Sequence, residues 1–71
     1  MAKVIKAHIT GTVWKIEVKV GDKVDEGTTV AILESMKMEM PVEAEESGTV
    51  AKILVTEGQA IAEGDGIVEL S

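Results

Sequence analysis

The chain repeats itself once. Shifted by 37 residues, Gly11-Thr12-Val13-Trp14-Lys15-Ile16-Glu17-Val18 falls on Gly48-Thr49-Val50-Ala51-Lys52-Ile53-Leu54-Val55. Between residues 11–34 and 48–71, ten of 24 positions are identical, where unrelated segments of ordinary composition would share about one or two. Upstream the match continues more weakly, with Ile5 on Val42 and Ala7 on Ala44. The two halves, near 1–35 and 38–71, therefore share one backbone plan, and the joint between them falls at Lys37.

At 71 residues the whole chain, 1–71, reads as a single domain close to the lower limit of what one hydrophobic core can stabilise. It has no cysteine, so neither disulfides nor thiolate metal sites can staple it. Stability must come from closing the fold on itself, with a core of Val, Ile, Leu, Ala and Met, since Trp14 is the one aromatic residue.

The dominant hydrophobic period is two. Trp14, Ile16, Val18 and Val20 are apolar while Lys15, Glu17 and Lys19 between them are charged, the pattern of a half-buried strand. On this reading Trp14 is a core anchor, and its repeat mate Ala51 shares a face with Ile53 and Val55, so the halves are alike in backbone but not in filling. Further strands are expected at 4–8, 28–34, 39–44, 49–55 and 66–70, with short ones near 23–24 and 60–62. Pro41 is expected to start or flank an edge strand. Gly21, Gly27, Gly58 and Gly64 sit in turn-like sequences at matched places in both halves, so the bends belong to the repeated unit.

No segment sustains a 3.6-residue period with caps, so almost no helix is expected. Short strands in a two-fold repeat predict an all-β fold: two small antiparallel sheets packed face to face, or a flattened barrel. A pseudo-two-fold axis between the halves would make residues 35–38 a hairpin tip at one end, with the chain termini toward the other.

Charge narrows the partners. The net charge is −6 and there is no arginine, which argues against nucleic acid, whose phosphates are bound by Lys and Arg. The same acidity disfavours anionic membranes, and Val30-Ala31-Ile32-Leu33 is far too short to span a bilayer. Residues 1–8 lack the apolar core of a secretory signal, so a soluble cytoplasmic protein is expected. His8 has no second His, Cys or Ser partner in an evident array, so no catalytic or metal role is read for it.

What remains is Glu34-Ser35-Met36-Lys37-Met38-Glu39-Met40. Met36-Lys37-Met38, with Glu34 before it and a Glu-rich strand after it, resembles the biotin-accepting motif of the biotinyl/lipoyl-attachment family. The likeness covers essentially the whole chain, through Gly11-Thr12-Val13, Val20-Gly21-Asp22-Lys23-Val24-Asp25-Glu26-Gly27 and Ser47-Gly48-Thr49-Val50, and is greatest for the small stand-alone members. It implies a flattened β-barrel, or barrel-sandwich hybrid, of two four-stranded antiparallel sheets with pseudo-two-fold symmetry.

The likeness further implies covalent biotin on Lys37, attached by a biotin protein ligase. It implies a monomeric, non-catalytic carrier that moves carboxyl groups between biotin carboxylase and carboxyltransferase subunits. Ser35 stands where biotinyl domains usually have Ala, and Glu34-Ser35 is also similar to lipoyl domains, so lipoate on Lys37 is the alternative prosthetic group. An unmodified interaction module is the third reading. There is no insertion between residues 15 and 24, so the protruding thumb of some carriers is expected to be absent. The usual Pro/Ala linker is missing too, which implies a carrier that diffuses freely or docks as a separate subunit.

The residue types suit that chemistry. A lysine joined to a valeryl chain forms an arm with roughly 14 Å of reach, and a rigid hairpin tip presents it at less ordering cost than a floppy loop. An exposed lysine is neutral in only about one molecule in 2,500 at pH 7, so activation is left to the ligase and its biotinyl-adenylate. Met36 and Met38 are unbranched and polarizable, adaptable to a ligase and then to carboxylase sites; Met40 is a candidate core filler. Met36-Lys37 as a tight two-residue turn would need φ > 0 without Asn or Gly. Glu34, Ser35 and Glu39 are candidate ligase contacts, and with Glu43, Glu45 and Glu46 the glutamates read as an acidic surround, either solvated or steering a basic groove.

Overall fold

The computed structural model describes residues 3–71; Met1 and Ala2, which head the segment read for a secretory signal, lie outside the described residues. Eight strands follow one another: β1 (Lys3–Lys6), β2 (Gly11–Ile16), β3 (Lys23–Val24), β4 (Thr29–Ser35), β5 (Met38–Glu43), β6 (Gly48–Ile53), β7 (Ala60–Ile61) and β8 (Gly66–Leu70). No helix occurs among the described residues. The strands form two four-stranded sheets, in the orders β1-β8-β6-β3 and β5-β4-β2-β7, and every pairing is antiparallel.

Adding four to each strand number in the first half converts one sheet into the other. The repeat in the sequence is thus a pseudo-two-fold axis in space, and each sheet takes two strands from each half. Neither half owns a complete sheet, so neither can bury its apolar side alone.

The core obeys the same shift. Its sixteen buried apolar residues are eight pairs 37 apart: Ile5 and Val42, Ala7 and Ala44, Val13 and Val50, Val18 and Val55, Val24 and Ile61, Val30 and Ile67, Ala31 and Val68, Leu33 and Leu70. No polar or charged side chain is buried among the described residues. The loops are pinned by matched bonds as well. The Gly21 N–H donates to the Val50 carbonyl at 2.8 Å, and the Gly58 N–H to Val13 at 2.7 Å. Different side chains perform equivalent caps: Asp22 accepts from the Lys19 N–H at 2.9 Å, Gln59 from the Thr56 N–H at 3.1 Å.

One expectation about the core fails. The alternation from Trp14 to Val20 predicts a strand there with Trp14 and Val20 inside, but β2 runs over Gly11–Ile16, and Trp14 is 47% and Val20 64% exposed. Val20 lies in the loop beyond β2, and for Trp14 the cause is a β-bulge. Val13 pairs with Leu33 and Lys15 with Ile32, which leaves Trp14 as an extra residue without a partner. An inserted residue breaks the period-two rule, so Val13 is fully buried and Trp14 emerges on the outer face. Ala51 occupies the same bulge between Val50 and Lys52. The device is part of the repeated unit, and Trp14 is not a core anchor.

Pro41 lies within β5 rather than at its start. As β5 is the sheet's edge, a missing N–H on its open side costs no ladder bond.

Candidate functional site: the tip of the β4–β5 hairpin

β4 and β5 pair from Thr29 with Glu43 up to Ser35 with Met38, which leaves Met36 and Lys37 as a two-residue loop. Such loops favour a type I′ turn, because its twist matches that of the strands, and that turn needs φ > 0 at both positions. Met36 has φ 51° and Lys37 has φ 66°. Neither residue has the ease of Asn or Gly there, and each costs about 1–2 kcal/mol relative to relaxed backbone. They are the two non-glycine residues with positive φ in the described chain. Strain of this kind persists where the surroundings over-determine it, and here the β4–β5 ladder does so.

The side chains at the tip face water. Met36 is 92% and Met38 62% exposed, and Lys37 is exposed. Among the described residues, no ion pair or side-chain hydrogen bond holds the Lys37 ammonium. Met40 is half-buried opposite buried Leu33, on the inward side of the hairpin, but it is not among the residues packed against the core. Ser35 is half-buried where it closes the loop.

Glu34 and Glu39 are exposed and directly opposite one another, one step below Ser35 and Met38. Like charges in this position destabilise a hairpin by up to about 1 kcal/mol. The rest of the acidic group is elsewhere. Glu43 closes the far end of the same ladder, and Glu45 and Glu46 lie beyond β5, with Glu46 bound to Lys3 at 3.3 Å. The five glutamates therefore do not surround the tip; two of them flank it. His8 is exposed on the loop after β1, and no metal-binding cluster occurs among the described residues.

Gly11 belongs to the site although the sequence reading gave it no role there. A Cβ at Gly11 would lie 2.5 Å from the Glu34 carbonyl oxygen and 3.3 Å from the Ser35 Cβ. Only glycine lets β2 lie this close against the stem of the hairpin. The available signal was its mate Gly48, which abuts Ser71 and Leu70 at the equivalent place. The same equivalence puts the chain's end opposite the tip in symmetry: Ser71 bonds Thr49 at 2.9 Å as β4 residue Glu34 pairs Thr12.

The site is thus a rigid, strained reversal with one free amine, two exposed methionines and two carboxylates beneath it. It can present a nucleophile or an attached group. A family model described as "Biotin-requiring enzyme", for biotin and lipoyl attachment, matches residues 1–70. The chain belongs to this biotin/lipoyl attachment family.

Its relatives include the Biotin/lipoyl attachment protein of Bacillus subtilis, 46% identical over 94% of this chain and 92% of that protein. The Biotinylated protein TB7.3 homolog of Mycobacterium leprae is 41% identical over the full length of both. Among solved structures, the urea carboxylase of Kluyveromyces lactis contains a segment, 6% of that chain, that matches all of this one with a TM-score of 0.93 and 39% identity. The two-sheet architecture expected from the repeat agrees with that carboxylase segment.

Proposed function

We propose that this protein is a biotin carboxyl carrier: a biotin protein ligase acylates the Lys37 amine, and the attached group shuttles carboxyl between the biotin carboxylase and carboxyltransferase sites of a carboxylase. The observation that carries this reading is the left-handed two-residue turn at Met36 and Lys37, which holds an unpaired amine at the outermost point of a rigid hairpin. The residues suit the group. A primary amine is what an acyl-adenylate acylates, and Lys37 is exposed.

The remaining tip residues have supporting roles in this reading. Met36 and Met38 offer adaptable apolar contact to partners of different shape. Glu34 and Glu39 offer a negative pair to a basic ligase groove, and Ser35 closes the loop between them. Biotin, when bound, supplies the carboxyl-carrying atom; the chain supplies position and reach. The protein works as a cytoplasmic monomer that docks to separate carboxylase subunits. Relatives named biotin carboxyl carrier protein and propionyl-CoA carboxylase alpha chain support this role.

The test is the intact mass of the protein from its native cell, with streptavidin and anti-lipoyl blots. A biotinyl mass increment and streptavidin signal, both lost in Lys37→Arg, are expected. A lipoyl signal instead would transfer the protein to acyl-group carriers, and an unmodified chain would make it an interaction module.

A further inference from the structure

The internal symmetry provides a control for every surface position, because each residue has a mate under the same backbone geometry. In the core the mates keep their apolar character throughout. On the outer face of the hairpin sheet they do not. Leu33 and Val42 point inward, so Ile32 and its cross-strand partner Pro41 point outward, and Lys15 with the bulged Trp14 lies beside Ile32 on the next strand. Trp14, Ile32 and Pro41 thus lie on three neighbouring strands of this face, with Lys15 directly opposite Ile32 and Trp14 beside it. Their mates on the other sheet are Ala51, Glu69 and Val4, where a carboxylate stands in place of Ile32 and no aromatic ring exists. The asymmetry falls on the sheet that carries Lys37.

We infer that Trp14, Ile32 and Pro41 are a resting site for the neutral bicyclic head group of a biotinyl arm on Lys37. This rests on the carrier reading above. Reach permits it. Thr12 is level with Glu34, so Trp14 lies about four residue steps below the tip and one strand across, roughly 15 Å from Lys37 at standard strand spacings. The arm extends about 14 Å before its rings begin.

Chemistry favours it as well. The head is a fused ureido and thioether ring pair, uncharged and partly apolar. A half-exposed indole offers it a flat apolar face, favourable sulfur contact and an N–H that can donate to the ureido oxygen. Glu34 points outward on the same face and can accept from a ureido N–H. A head group held here travels with the carrier in an ordered state, and a partner site must compete it away from Trp14.

Trp14 is the chain's one tryptophan, so its fluorescence reports this surface without interference. The full chain is biotinylated with ligase, complete labelling is verified by intact mass, and holo and apo forms are compared. An arm that rests on the indole at least half of the time lowers the acrylamide quenching constant about two-fold. It also gives nuclear Overhauser contacts between indole protons and the biotin rings. In holo Trp14→Ala, which keeps the core intact, the biotin ring resonances should move to those of free biotinyl-lysine. Equal quenching in a fully labelled chain, with biotin resonances already at the biotinyl-lysine values, overturns the resting site and leaves the carrier reading standing. A chain that ligase cannot label overturns both.

Discussion

The strained tip makes a quantitative prediction: Met36→Asn combined with Lys37→Gly should stabilise the protein while abolishing its modification. Both residues occupy left-handed backbone, at φ 51° and 66°. This costs a side chain with a Cβ about 1–2 kcal/mol per residue, or about 2–4 kcal/mol for the pair. Asn tolerates the region, and Gly adopts it freely, but Gly returns about 0.5–1 kcal/mol through the greater freedom of its unfolded chain. Little packing is lost, because both side chains are exposed. The net gain is about 1–3.5 kcal/mol, which for a domain of this size raises Tm by about 4–28 °C. Thermal and urea unfolding followed by circular dichroism measure it directly. A Tm at or below that of the parent would refute the premise that Asn-Gly suits this turn better than the residues present, and with it the conclusion that stability is given up to place an amine at the tip.

The symmetry supplies matched comparisons. Gly11→Ala, whose new Cβ would meet the Glu34 carbonyl at 2.5 Å, should destabilise by about 1–3 kcal/mol in urea melts. Gly48→Ala, with its nearest atom at 3.2 Å, should cost clearly less. Val13→Ala should cost about 1.5–3 kcal/mol, whereas Trp14→Ala should stay within about 1 kcal/mol, the reverse of what strict alternation through β2 implies. Glu34→Gln removes the like-charge pair with Glu39 and should stabilise by up to about 1 kcal/mol at low salt, with the difference shrinking in 1 M salt as measured by Tm.

Much of this fold could be read in the chain because the repeat constrains it twice. A strand inferred at Ile5 is supported by its mate at Val42, and the bends at Gly21 and Gly27 by Gly58 and Gly64, all four of which have positive φ. The turn at Met36 and Lys37 is legible because the joint between the repeat halves falls there. The bulge is not. Trp14 follows the apolar Val13 and precedes an alternating run, and period-two reading assigns it inward; one extra residue in β2 reverses that for everything upstream of Lys15. A warning lay in Val13 and Val50, identical in both halves, while Trp14 and Ala51 differ in size as core mates seldom do. The close approach at Gly11 was also hidden, because it depends on a neighbouring strand that sequence alone does not place. Nearness along the chain groups the glutamates, but an extended strand carries Glu43 to the opposite end of the ladder from Glu39.

The most direct measurement is peptide mapping by tandem mass spectrometry after ligase treatment with biotin. The chain offers seven lysines, six of them outside the hairpin turn. One biotinyl group on the peptide spanning the turn, at Lys37 alone, is the expected result. Label distributed over Lys3, Lys15 or Lys52, or retained in full by Lys37→Arg, would mean that the strained reversal between the two halves is not what a ligase recognises.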